Sequence, residues 1–82
     1  MNIKGKNSKE IRTADLALAA AISLFYPLEA IDRKNPQKAL FIFKRNKDLD
    51  ALIENYWRGE LKSDLRRYFE ALRIIKARLY AE

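Results

Sequence analysis

Ala39-Leu40-Phe41-Ile42-Phe43 is an unbroken apolar run between Lys38 and Lys44-Arg45. Its β-branched and aromatic content favours a strand over a helix for so short a segment. Successive side chains of a strand point to opposite faces, so this strand is apolar on both. A two-stranded hairpin is marginal by itself, and one with two sticky faces is worse. Either helices cover both faces, or a second copy of the protein does so. The segment from Pro27 to Arg33 reads as the partner strand, with Lys38 to Arg45 as the second strand and Lys34-Asn35-Pro36-Gln37 between them.

The helices needed to cover such a strand are legible on either side of it. Thr13 is placed as an N-cap, with Asp15 in the first turn where a negative charge suits the helix dipole. That helix runs from Ala14 to about Phe25 and stops before Pro27. It is apolar nearly all round, which marks a buried helix, and its alanines at 14, 17, 19, 20 and 21 allow neighbours to approach closely. Downstream, Asn46 or Asp48 caps a helix from about Asp48 to Arg58, with Leu49, Leu52, Ile53 and Tyr56 on one face and Gly59 as the stop. Ser63 caps the last helix, which reaches about Tyr80 with Leu65, Tyr68, Phe69, Leu72, Ile75 and Leu79 as its core stripe. The expected fold is a small single α+β domain over residues 13–82, ordered helix, β-hairpin, helix, helix. A flexible basic arm, residues 1–12, precedes it.

Most chemistry is excluded by what the chain lacks. It has no Cys and no His among its 82 residues, so there is no disulfide framework, thiolate site, thiol nucleophile or imidazole proton shuttle. Its glycines, Gly5 and Gly59, form no phosphate-binding loop. Asp48, Asp50 and Glu54 read as helix N-terminal acids rather than as a magnesium site. No catalytic residue, metal or cofactor is expected, and the chain is read as no enzyme. The uncharged stretch Leu16 to Leu28 is too short to span a bilayer. It follows Lys4, Lys6, Lys9 and Arg12, the layout of a signal peptide. Asp15 and Glu10 interrupt that layout, and cleavage would leave a remnant of about 50 residues without disulfides. A cytoplasmic location and no membrane partner follow.

Charge carries what functional signal there is. Seventeen Lys and Arg face eleven Asp and Glu, a net +6 that is unevenly placed. Residues 33–47 hold six basic side chains and no acid, and the arm and residues 62–78 are also net basic. The segments between them are net acidic. A positive surface assembled from such segments attracts phosphate backbones at long range. Lys34, Lys38, Lys44, Arg45, Arg67 and Arg78 are the expected nucleic-acid contacts. The competing reading is that they keep the protein soluble and guard the strand ends against aggregation. Arg67, Ala71, Ile74 and Arg78 share one outer helix face, an interaction surface in which Ile74 is the apolar centre. Arg66 and Arg73 bracket Glu70 at ion-pairing spacing. Tyr56-Trp57 could stack on a base, although Tyr56 falls on the core stripe of its helix.

The stretch Thr13-Ala-Asp-Leu-Ala-Leu-Ala-Ala-Ala, the strand Phe41-Ile-Phe, the segment Tyr56-Trp-Arg-Gly-Glu-Leu and the ending Tyr68-Phe-Glu-Ala-Leu-Arg with Lys76-Ala-Arg-Leu-Tyr resemble a family of short bacterial and phage proteins. That family is known only as a domain of unknown function. The resemblance covers residues 12–80, implies a self-contained small domain and carries no site with it. The order of strand Lys38 to Lys44, helix to Gly59 and Ser63-capped helix is also similar to ribbon-helix-helix DNA-binding proteins. In those proteins a strand from each of two chains pairs, and its outward side chains enter the major groove. With Phe41 and Phe43 inward, the outward set here is Lys38, Leu40, Ile42 and Lys44. The combined expectation is a nucleic-acid-binding accessory protein that contacts phosphates without sequence specificity. The alternative is a non-enzymatic protein-interaction or homodimerisation module with Leu40, Ile42 and Ile74 at its interface.

Overall fold

The computed structural model describes residues 9–81. Along the chain it contains β1 (Glu10–Thr13), α1 (Leu16–Ser23), β2 (Ala30–Asp32), β3 (Leu40–Lys44), α2 (Lys47–Trp57) and α3 (Leu65–Leu79). The α+β architecture and the order helix, hairpin, helix, helix are as expected. Strand β1 is additional. Glu10, Ile11 and Arg12, read from the sequence as the end of an arm, pair with β3, while residues 1–8 lie outside the described residues.

The sheet has the order β1-β3-β2, antiparallel throughout. The strand with two apolar faces is therefore the central one, hydrogen-bonded along both edges within one chain. A ribbon-helix-helix strand instead keeps an edge for its partner. In register, Ile11 lies opposite Phe43, and Thr13 and Ile31 lie opposite Phe41. This face meets the helices: Phe41 and Phe43 join Leu18, Ala19, Ala20 and Ile22 of α1, Leu49 and Leu52 of α2, and Ile75 of α3 in one buried core. The molecule is only 18 Å across in its thinnest dimension, room for the sheet and a helical layer about 10 Å from it.

Helix α1 is buried over the unbroken run Leu18 to Ile22, as a helix apolar on all sides requires. Ala19 and Ala20 are fully buried, and α3 packs more extensively on α1 than α2 does. The caps differ from expectation at two helices. Thr13 sits in β1 opposite Phe41, so it cannot cap α1; its hydroxyl oxygen accepts the Asp15 N–H at 3.0 Å. Asp15 is the N-cap instead, accepting from the Leu18 N–H at 3.1 Å. Asp64 likewise replaces Ser63 at α3, accepting the Arg66 N–H at 3.0 Å. Asn46 caps α2 through the Leu49 N–H at 2.8 Å. At the other end of α2, Gly59 has φ +75°. Its N–H donates to the Tyr56 carbonyl at 3.1 Å, and the Glu60 N–H donates to the Asn55 carbonyl at 2.8 Å. This paired closure needs a left-handed residue at its centre, which glycine adopts without a steric penalty.

The stripe of α3 is narrower than the sequence suggests. Ile75 is buried and Tyr68, Ala71, Leu72 and Leu79 are half-buried, but Leu65 is 71% and Phe69 54% exposed. Both lie to one side of the line through Tyr68, Ile75 and Leu79, beyond the width of the alanine-rich surface of α1.

Candidate functional site

The second face of β3 has a different cover from the one expected. Neither a helix nor a second chain is needed to bury Ile42, which is 7% exposed within one molecule. Arg12 of β1 and Ala30 of β2 flank it in register. The Arg12 guanidinium donates to Asp32 of β2 at 3.0 Å and to Glu10 at 3.3 Å, so it crosses β3 to link the two edge strands. Ile42 is thus largely withdrawn from the set expected at a partner interface. Leu40 is half-buried beside it, and Ile74, at 58% exposure, remains available on α3.

Asp32 also accepts the Lys34 N–H at 3.0 Å. That bond, followed by the hydrogen bond from Arg12 and the positive charges of both residues, holds the Asp32 carboxyl below its ordinary value of 3.8. A depressed folded-state pKa contributes stability that is present above the unfolded value and lost as the pH falls through the folded one. Asp32→Asn is accordingly expected to melt at a lower temperature than the wild type at neutral pH. Melting curves recorded across the acid range should converge as the pH drops below 3.8, and a constant separation would contradict this linkage.

The turn after β2 is where cations gather. Asn35 accepts the Gln37 N–H on its side chain at 2.9 Å and the Lys38 N–H on its carbonyl at 3.0 Å, with Pro36 between them. Asn at the first and Pro at the second position favour such a turn because proline presets φ. Arg33 then fixes this turn to α3. One of its terminal nitrogens donates to the carbonyl oxygens of Arg78 at 2.7 Å and Leu79 at 2.9 Å. These carbonyls belong to the last turn of a helix, where a cation also suits the dipole. Arg33, absent from the expected contact set, thereby brings Lys34 and Lys38 to the end of α3 that carries Arg78. Its sequence signal was only its place at the head of the acid-free segment.

The remaining expected contacts do not join this group. Lys44 ends β3 opposite Glu10, about 14 Å along the strand from Leu40. Arg45 is engaged: its Nε donates to Asp50 at 3.1 Å, and its N–H donates to the Lys9 carbonyl at 2.8 Å. Arg67 lies near the start of α3, about 16 Å along the axis from Arg78. Arg66 and Arg73 form no ion pair with Glu70 among the described residues, contrary to the spacing argument, so α3 keeps these cations free. Exposed i, i+4 pairs contribute little, and nothing else holds these side chains together.

Beside the turn lies a cleft of about 530 Å³ bounded by Arg33, Asn35, Gln37 and Ala39 on one side and Leu79 and Tyr80 on the other. A smaller apolar groove of about 270 Å³ lies between Leu24, Tyr56, Leu61, Leu65 and Tyr68. Tyr56 is half-buried, in keeping with its place on the core stripe, whereas Trp57 is 63% exposed and meets Tyr56 edge-on at 5.0 Å. The Tyr68 hydroxyl donates to the Ala17 carbonyl at 3.2 Å. Burial, followed by the nearby Asp15, raises the pKa of both tyrosines from the ordinary 10, so both phenols stay neutral. Among the described residues, no helix is long and apolar enough to cross a membrane.

Fold and surface together define a small α+β domain with a cationic turn clasped to its last helix. The chain belongs to the family described as Domain of unknown function (DUF5659), which matches residues 8–81. No curated protein and no solved structure matches it.

Proposed function

We propose that this domain is a nucleic-acid-binding accessory protein of the cytoplasm, in a bacterial or phage setting, that contacts the phosphate backbone without reading sequence. The observation that supports this is the Arg33 clasp. It ties the turn that carries Lys34 and Lys38 to the last turn of α3, which carries Arg78, and the neighbouring carboxylate, Asp32, is already held by Arg12. Long flexible cations around a rigid turn suit phosphates, which position a protein on nucleic acid but carry no sequence information. Lys34, Lys38 and Arg78 are the primary contacts in this reading. Arg67 and Lys44 are outlying ones, and Arg45 is left to its pairing with Asp50.

Binding measured by fluorescence anisotropy at a series of salt concentrations tests the reading. Each phosphate neutralised contributes about −0.9 to the slope of log affinity against log salt on duplex DNA. Three to five contacts therefore predict a slope of about −3 to −4.5, with the same affinity for unrelated sequences. Absence of binding at low salt, or a flat salt dependence, overturns the proposal.

A further inference from the structure

Among the described residues, Tyr80 is the most exposed of the large apolar side chains, at 76%, and it stands on the wall of the cleft facing the cationic turn. It caps α3 through its backbone, with its N–H donating to the Lys76 carbonyl at 3.1 Å, so its ring is not needed to close the helix. Across the cleft are the amides of Asn35 and Gln37. The Asn35 side-chain carbonyl is used within the turn, leaving its NH₂ group to donate outward. Arg33 reaches the last turn of α3, which carries Arg78, and the exposed Lys34 and Lys38 flank the turn that forms the other wall.

From this juxtaposition we infer that the cleft takes single-stranded nucleic acid, with one base stacked on the Tyr80 ring and the flanking phosphates on Lys34, Lys38 and Arg78. The inference rests on the reading of this surface as a phosphate-binding one and names its substrate class. A base inside a duplex already has both faces covered by its neighbours. An unpaired base has a free face, and stacking on an aromatic side chain accepts any base. The amides of Asn35 and Gln37 lie where they can meet the edge of the stacked base. The turn hydrogen bonds and the Arg33 clasp hold both walls in place before binding, which lowers the ordering cost of association.

The test compares labelled oligo-dT and oligo-rU of about 12 nucleotides with a duplex of the same length, using wild type, Tyr80→Ala and Tyr80→Phe. The expected result is that Tyr80→Ala weakens single-strand binding by about 5- to 100-fold. Tyr80→Phe should retain it, and duplex binding should be the same in all three proteins. A loss on Tyr80→Ala with oligo-dT, oligo-rU or both, and not with the duplex, supports stacking on Tyr80. If the duplex binds with the expected salt dependence and Tyr80→Ala changes neither probe, or weakens both equally, the single-strand inference falls and the backbone reading stands. If wild type binds neither probe at low salt, both fall.

Discussion

Phe43→Ala is expected to be strongly destabilising. Phe43 is fully buried in the central strand, opposite Ile11, within the core that all three helices share. Truncating a buried phenylalanine costs about 3–5 kcal/mol, because the transfer free energy is lost and the cavity closes only in part. A domain of this length has roughly 4–12 kcal/mol of stability in total, so the loss is a large share of it. Phe25→Ala is the matched control: the same atoms are removed from a side chain that is 52% exposed. Urea denaturation should show a much lower midpoint for Phe43→Ala and a change of under about 1 kcal/mol for Phe25→Ala. Equal losses at the two positions would contradict the placement of β3 at the centre.

The second large effect is expected on binding. The triple variant Lys34→Glu, Lys38→Glu, Arg78→Glu should lower affinity for nucleic acid by about 100-fold or more at low salt. The salt slope should shrink by about 2.7 as three phosphate contacts disappear. A second triple, Lys47→Glu, Arg58→Glu, Lys62→Glu, changes the net charge by the same amount at exposed positions away from the clasped turn. It should weaken long-range attraction only modestly and leave most of the slope. If the two triples behave alike, overall charge rather than this surface governs binding. Circular dichroism of both variants separates lost binding from lost structure.

Much of this architecture is legible in the residues. The periodicity of Leu49, Leu52, Ile53 and Tyr56, a cap at Asn46 or Asp48 and the Gly59 stop mark α2 within a residue or two. The unrelieved apolar character of residues 16–22 marks α1 as the buried helix. Strand β1 is not legible: Glu10-Ile11-Arg12-Thr13 offers one strongly apolar side chain, and its place depends on a pairing partner some thirty residues away. The cover over Ile42 escapes notice for the same reason. Arg12 and Asp32 are polar residues in separate segments, and only the sheet brings them together. Leu65 and Phe69 show the opposite failure. They fit a helical stripe by spacing, but the stripe is limited by the narrow surface that α1 presents. At the site, the acid-free segment 33–47 is visible in the sequence, whereas its division between the two ends of β3 is set by Arg33 reaching the last carbonyls of α3.

The position of β1 also orders events in time. β2 and β3 are neighbours in the chain and can form their ladder soon after both exist. β1 is made before either, and its partner β3 follows only after α1, β2 and the turn have been added. Closing so long a loop is entropically slower than closing the hairpin. On a ribosome, the earliest part of the sheet to emerge is thus among the last to be placed. Until it docks, one edge of Phe41-Ile42-Phe43 carries unpaired backbone groups next to apolar side chains, the arrangement that invites strands of other molecules. A chain in which β1 has not yet docked therefore offers the free edge of β3 to other molecules.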